Sequence, residues 1–125
     1  KAFIASATYE PPTNAPYFNS IFAEVEVDPG TGKVNILRLV AACDSGRIVN
    51  PTTAEGQIHG ALAQGIGYAL MEEYTIDDKG RLLNSDLADY KIPTICDKYD
   101  AEVIFVDSYE PTGPFGAKGI CLAGG

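Results

Sequence analysis

The sequence predicts an α+β fold in which antiparallel β-hairpins pack on a long, glycine-rich central helix. Three stretches carry that expectation. Residues 23–28 alternate apolar and acidic side chains, and the alternation resumes at Val34 and Ile36 after Pro29-Gly30-Thr31-Gly32, the pattern of a hairpin. The stretch EGQIHGALAQGIGYALMEE, residues 55–73, sets Ile58, Leu62, Ile66 and Ala69 on one helical face. The segment AEVIFVD, residues 101–107, has the β-branched and aromatic content of a strand. With 125 residues, 46% hydrophobic and 21% charged, the chain is sized for one core.

Taken in order, the opening segment, KAFIASATYEPPTNAP, with Pro11, Pro12 and Pro16 reads as an extended connector, because proline breaks both helix and ladder. The first hairpin follows, and its Val/Ile/Leu-rich second arm at 34–42 is expected at an exposed edge of the sheet. CDSGRIVNP is a polar loop in which Asn50-Pro51 or Thr52-Thr53 begins the helix, which is expected to run to about Glu73. YTIDDKGRLLN predicts a second hairpin turning at Asp77 to Gly80, and EPTGPFGAKGICLAGG reads as loop.

Charge narrows the partners. Seventeen acidic residues against nine basic give a net charge of -8, and the basic residues are scattered singly, so no stripe exists to follow a phosphate backbone. No run of about 18 apolar residues is present and the N-terminus lacks an apolar core before a cleavage site, which predicts a soluble, cytoplasmic protein with no membrane partner. Cys43, Cys96 and Cys121 are an odd number at wide spacings and read as reduced, mostly buried thiols.

The helix poses a question, since each interior glycine costs about 0.5–1 kcal/mol relative to alanine. At about 100° per residue, Gly56, Gly60, Ala63 and Gly67 form a small-residue stripe that another backbone or a flat ligand could approach. With the apolar face opposite, the helix is expected to be wrapped on two sides. Gln57 and Gln64 flank the stripe, and two readings stand for their amides: hydrogen bonds to carbonyls of a neighbouring strand, or a polar ligand lying over the glycines. His59, with Leu62 and Ala63 at helical spacing ahead of it, reads as a packed neutral histidine rather than a metal ligand. Glu72-Glu73 and Asp77-Asp78 read as solvated acids. No Ser/His/Asp set, P-loop or strand-linked dinucleotide fingerprint is present.

The series ATYEPPT, AEVEVDPGTGKVNILRLVAACDSGRIVNP, EGQIHGALAQGIGYALMEE, DYKIPT and PTGPFGAKGI resembles, in order and spacing, the C-terminal part of the molybdopterin-binding subunit of the xanthine dehydrogenase/aldehyde oxidase family. The resemblance covers nearly the whole chain and implies that residues 1–125 are a partial molybdopterin-binding domain, incomplete at both ends. It implies a molybdenum hydroxylase, which places an oxygen from water on an electron-poor carbon of an N-heterocycle or on an aldehyde. The implied cofactor is molybdenum–molybdopterin, shared with a larger chain, with iron–sulfur centres and FAD on partner subunits. A homo-oligomer is the other expected cover for exposed core.

Carried over position by position, Gln57 matches the family glutamine that hydrogen-bonds the pterin portion, with Gly56 and Gly60 allowing close approach. Lys118, Gly119, Ile120 and Cys121 match the segment leading to the family's catalytic glutamate, and Cys121 replaces a glycine usual there. The glutamate's own place is taken by Leu122, and no acidic residue follows Glu110. The implied chain therefore has no catalytic residue and no metal ligand of its own, and is expected to be inactive alone. The alternative is a non-catalytic remnant or interaction domain of the same fold. Substrate-clamping residues of the family lie upstream of Lys1.

Overall fold

The computed structural model describes residues 2–97 and 99–120. Its frame is a three-stranded sheet of β1 (Phe18–Val27), β2 (Val34–Asp44) and β3 (Ala101–Phe105), in the order β1-β2-β3, with one helix, α1 (Pro51–Leu70), and a 3₁₀ turn at Pro114–Gly116. β1 and β2 pair antiparallel from Phe18 opposite Asp44 to Val27 opposite Val34, with a bulge between Glu24 and Val25. The turn between them is held by Asp28, whose carboxylate accepts from the Gly30 N–H at 2.8 Å and the Thr31 hydroxyl at 2.7 Å. Those bonds, the Thr31 hydroxyl first, hold the Asp28 carboxyl below the usual range.

The third strand corrects the expectation of a wholly antiparallel sheet. β3 runs parallel to β2, Leu39 opposite Ala101 to Cys43 opposite Phe105. The cause is the intervening helix: a strand, a helical crossover and a second strand return the chain to its starting end, which makes the two strands parallel neighbours. β2 is therefore the central strand and not an edge, and Leu39, Ala41 and Cys43 alternate into the core. The expected second hairpin shrinks to a single bridge between Ile76 and Leu82, closed around the Asp77 carboxylate.

Helix α1 starts where Asn50 accepts from the Thr53 N–H at 3.3 Å and Pro51 fills the first helical position, where a missing N–H costs nothing. It ends at Leu70, short of Glu73. Met71 and Glu72 both donate to the Gly67 carbonyl, at 3.0 and 2.8 Å, which closes the last turn and folds Glu72 back over Gly67. Two carboxylates would also be unfavourable in a last turn, at the negative end of the helix dipole.

The core is compact and one-sided. Leu39, Ala41 and Cys43 of β2 meet Ile58 and Leu62 of α1, with Ile66, Tyr99, Val103, Phe105 and Ile120 packed around them. Tyr99 also donates to the His59 carbonyl at 3.0 Å, tying the segment before β3 to the helix. β1 by contrast is exposed along its whole length, including Phe22 and Val27. Of the thiols expected to be mostly buried, Cys43 is buried and Cys96 is exposed in a turn; Cys121 lies outside the described residues. Among the described residues no helix is long and apolar enough to cross a membrane.

Leu62→Ala is expected to cost about 2–4 kcal/mol in urea unfolding of the chain, whereas Val27→Ala on the open strand is expected to cost less than about 1 kcal/mol.

Candidate functional site

Two features outside the core carry the site, and both begin at the end of β2. There the chain turns through Asp44, Ser45 and Gly46, and the tail segment 116–120 returns against it. Gly46 and Ala117 form a bridge, the Arg47 N–H donates to the Gly116 carbonyl at 2.8 Å, and the Lys118 N–H donates to the Ser45 carbonyl at 3.0 Å. The approach demands glycine at 46: its φ is +66°, and a Cβ there would collide with the Gly116 carbonyl oxygen.

Charge locks the same junction. Lys118 Nζ lies 2.8 Å from Asp44 Oδ2, with the lysine side chain only 10% exposed, and the ammonium sits 5.3 Å from the centre of the Phe18 ring. The Ser108 hydroxyl donates to the other Asp44 oxygen at 2.5 Å, and the Gly46 N–H adds a third bond at 3.2 Å. The Lys118 ammonium, then the Ser108 hydroxyl and the Gly46 N–H, hold the Asp44 carboxyl down at about 2. Ser45 beside it is buried, and its hydroxyl has no hydrogen-bond partner among the described residues. The tail carries on so that Ile120 packs on the core and Gly119 is exposed near Tyr17.

The N-terminal segment lies across this tail. Tyr9 donates to the Thr112 carbonyl at 2.8 Å, and Pro11, Thr13, Asn14 and Ala15 with Glu110, Thr112, Lys118 and Gly119 line a cavity of about 280 Å³. The Thr112 hydroxyl and N–H hold the Glu110 carboxyl below its usual range.

The second feature is the outer face of α1, and here the structure corrects the sequence reading. The apolar side is covered along the helix, with Ala54, Ile58, Ala61 and Leu62 buried, whereas the small-residue stripe is covered only at its end, where Gly67 lies beneath Glu72 and Pro93; Gly56, Gln57, Gly60 and Gln64 are exposed. Nothing lies within 4 Å of a Cβ built at Gly56 or Gly60. Neither glutamine reaches a strand carbonyl: Gln64 donates to the Tyr68 hydroxyl at 2.7 Å, and the Gln57 amide makes no hydrogen bond among the described residues. A three-stranded sheet supplies one packing surface, so it buries one helical stripe and leaves the other open. His59 is half-exposed rather than packed, with Nε2 3.9 Å from Glu55 Oε1, a partner one turn behind it. Among the described residues no group of three or more His, Cys, Asp or Glu is placed to hold a metal.

The structure thus gathers Lys118, Gly119 and Ile120 at the β2 terminus and Gly56, Gln57 and Gly60 on the open helix face, with no hydrogen bond joining the two sets among the described residues. Cys121 and Leu122 lie outside the described residues. Asp44, Ser45, Gly46 and Ser108 escaped sequence reasoning, because their partners stand far along the chain, 64 residues for Ser108 with Asp44 and 74 for Lys118 with Asp44. Gly46 inside a polar loop was the one available sign.

Residues 2–98 match the family model described as the molybdopterin cofactor-binding domain. The chain belongs to that family. Over 105 residues it is 45% identical to the aldehyde oxidoreductase molybdenum-binding subunit PaoC of Escherichia coli K12, covering 82% of this chain and 14% of the relative. Over 117 residues it is 43% identical to the putative xanthine dehydrogenase molybdenum-binding subunit XdhA of the same organism, covering 93% and 16%. Among solved structures, quinoline 2-oxidoreductase from Pseudomonas putida 86 superposes with a TM-score of 0.77 at 38% identity, covering 82% of this chain and 13% of that one. Reconstituted CO dehydrogenase from Oligotropha carboxidovorans superposes with a TM-score of 0.86 at 30% identity, covering 93% and 14%. The chain, a member of the xanthine dehydrogenase/aldehyde oxidase family, spans about 14% of the length of such relatives.

Acid should weaken the β2–tail junction. The Asp44 carboxyl falls from 3.8 in the unfolded chain to about 2 when folded, so its contribution is fully present above pH 3.8 and is lost as pH falls toward 2. Asp44→Asn is expected to flatten the pH dependence of unfolding in that window and to lower stability at neutral pH. Glycine substitutions should split by site. Gly60→Ala is expected to stabilise the chain by about 0.5–1 kcal/mol, and Gly46→Ala to destabilise it by about 2 kcal/mol or more, both read from urea midpoints.

Proposed function

We propose that this chain forms part of the molybdenum cofactor pocket of a larger molybdenum hydroxylase of the xanthine dehydrogenase type, with the open face of α1 turned toward the pterin portion. The observation that carries the proposal is the pairing of two side-chain-free positions, Gly56 and Gly60, with an exposed amide, Gln57, that hydrogen-bonds nothing among the described residues. A helix that gives up about 0.5–1 kcal/mol at each such glycine, with no protein backbone against it, fits a flat polar ligand better than it fits solvent. The donor set suits a pterin, since one carboxamide both donates to a ring carbonyl and accepts from a ring N–H.

Each residue then has a task. Gln57 orients the pterin edge, while Gly56 and Gly60 let the ring system lie close to the helix backbone. The Asp44–Lys118 pair positions the segment through Gly119 and Ile120 that leads toward the reacting centre; Lys118 acts through that segment, because its ammonium is committed to Asp44. When bound, the molybdenum cofactor supplies a two-electron oxidation in which water provides the oxygen added to an N-heterocycle or an aldehyde. Iron–sulfur and flavin centres on partner subunits would be the electron acceptors. Substrate binding and the remaining cofactor contacts belong to a larger chain, and the chain on its own is inactive. Leu122, standing where the family resemblance places a catalytic glutamate, has no group that takes up a proton, and the absent base accounts for about 10²–10⁴ in rate.

Two substitutions in the assembled enzyme test this. Gln57→Ala is expected to lower molybdenum content per complex while assembly, read by native mass, persists; unchanged molybdenum would remove the glutamine from the pocket. Leu122→Glu is expected to raise hydroxylation of a purine or aldehyde by about 10²–10⁴. No gain, with cofactor present, would favour the alternative of a non-catalytic interaction domain.

A further inference from the structure

We infer that the carboxyl end of α1 is a docking bowl for a guanidinium side chain presented by another protein segment. Tyr68, Glu72, Glu73, Tyr74 and Tyr90 line a cavity of about 330 Å³ just beyond the helix terminus. The Tyr74 and Tyr90 rings form one wall, 5.4 Å apart at 32°, and Tyr68 forms another, its hydroxyl held by the Gln64 amide at 2.7 Å. Tyr68 and Tyr74 are 62% and 68% exposed, so both present ring faces to an incoming group.

The charge in this bowl has no counterpart. Glu72 is half-buried and accepts from the Tyr90 hydroxyl at 2.5 Å, which pushes the Tyr90 phenol up to about 12. Among the described residues neither Glu72 nor Glu73 enters an ion pair, and the last turn of α1 has no basic residue. Arg81 is taken by Asp77, and the Lys91 ammonium donates to the Ala88 carbonyl. The helix adds the negative end of its dipole at the same place. Two carboxylates and a helix terminus thus concentrate negative potential between aromatic faces, an arrangement that favours a cation.

Shape selects among cations. A guanidinium is planar, stacks on tyrosine faces, and can reach two carboxylates with separate N–H groups, whereas an ammonium is a compact, strongly hydrated point charge. A metal ion fits poorly, since the walls offer ring carbon rather than further oxygen ligands and the Tyr90 hydroxyl is committed to Glu72. The net charge of -8 on this chain favours a basic partner segment. This inference stands apart from the cofactor reading, because none of the five residues belongs to the Gly56–Gln57–Gly60 face.

The test is a titration of the assembled enzyme carrying this chain, its tyrosines labelled as 3-fluorotyrosine, at low salt with N-acetyl-arginine amide, its neutral counterpart N-acetyl-citrulline amide, and N-acetyl-lysine amide, followed by fluorine NMR of the tyrosine rings. The expected result is a saturable shift at Tyr68, Tyr74 and Tyr90 with the arginine probe, several-fold weaker with lysine and absent with citrulline. Glu73→Gln, an exposed change, should weaken arginine binding about five-fold, and Tyr74→Ala should weaken it while both carboxylates remain. Equal responses to arginine and citrulline, no saturable response, or binding unchanged in both variants would overturn the inference.

Discussion

The half-buried ion pair between Asp44 and Lys118 is the constraint on which the rest of the arrangement depends. It joins the last residue of the central strand to the tail across 2.8 Å, with the Ser108 hydroxyl closing the other carboxylate oxygen. The glycine at 46 lets the two backbones meet beside it, and the helix begins at Pro51, capped by Asn50 a few residues after Gly46. One junction therefore sets where α1 starts, where segment 116–120 lies, and how Ile120 reaches the core against Ile58 and Leu62. Removing either charge would leave the other desolvated without its partner, so the junction is more costly to break than an exposed pair.

Around that junction the molecule is built from unequal faces. The inner side of the sheet takes one helix, which satisfies β2 and β3 and leaves β1 uncovered. The helix in turn has a buried stripe and an open one. The chain spans about 14% of the length of a relative of similar sequence, and the apolar side chains along β1 stand exposed on this chain. The open glycines are of another kind: they add no apolar area, and their value lies in how near a neighbour can come.

Much of this was legible in the sequence because it is local. Alternation over 23–28, the Pro29 to Gly32 turn and the spacing of Ile58, Leu62 and Ile66 each depend on a few neighbouring residues. What was lost is long-range. The parallel pairing of β3 follows from the crossover through α1, a relation between elements that alternation within one strand does not encode. Asp44 and Ser108 look like ordinary loop polars until the fold brings them together over 64 residues. The helix was expected to be wrapped on both sides because glycine spacing reports permission for close contact, without saying whether a backbone, a ligand or solvent fills the space. Family resemblance supplied the ligand that composition alone left open.

The central claim is that the bare helix face belongs to a cofactor pocket. The most direct measurement is elemental analysis for molybdenum on the polypeptide carrying this sequence, isolated from its source under mild conditions, with intact mass of every chain that accompanies it. The account predicts near-stoichiometric molybdenum together with the remaining cofactor-binding segments, whether on the same chain or on a partner. Molybdenum absent from a chain that purifies alone would contradict it.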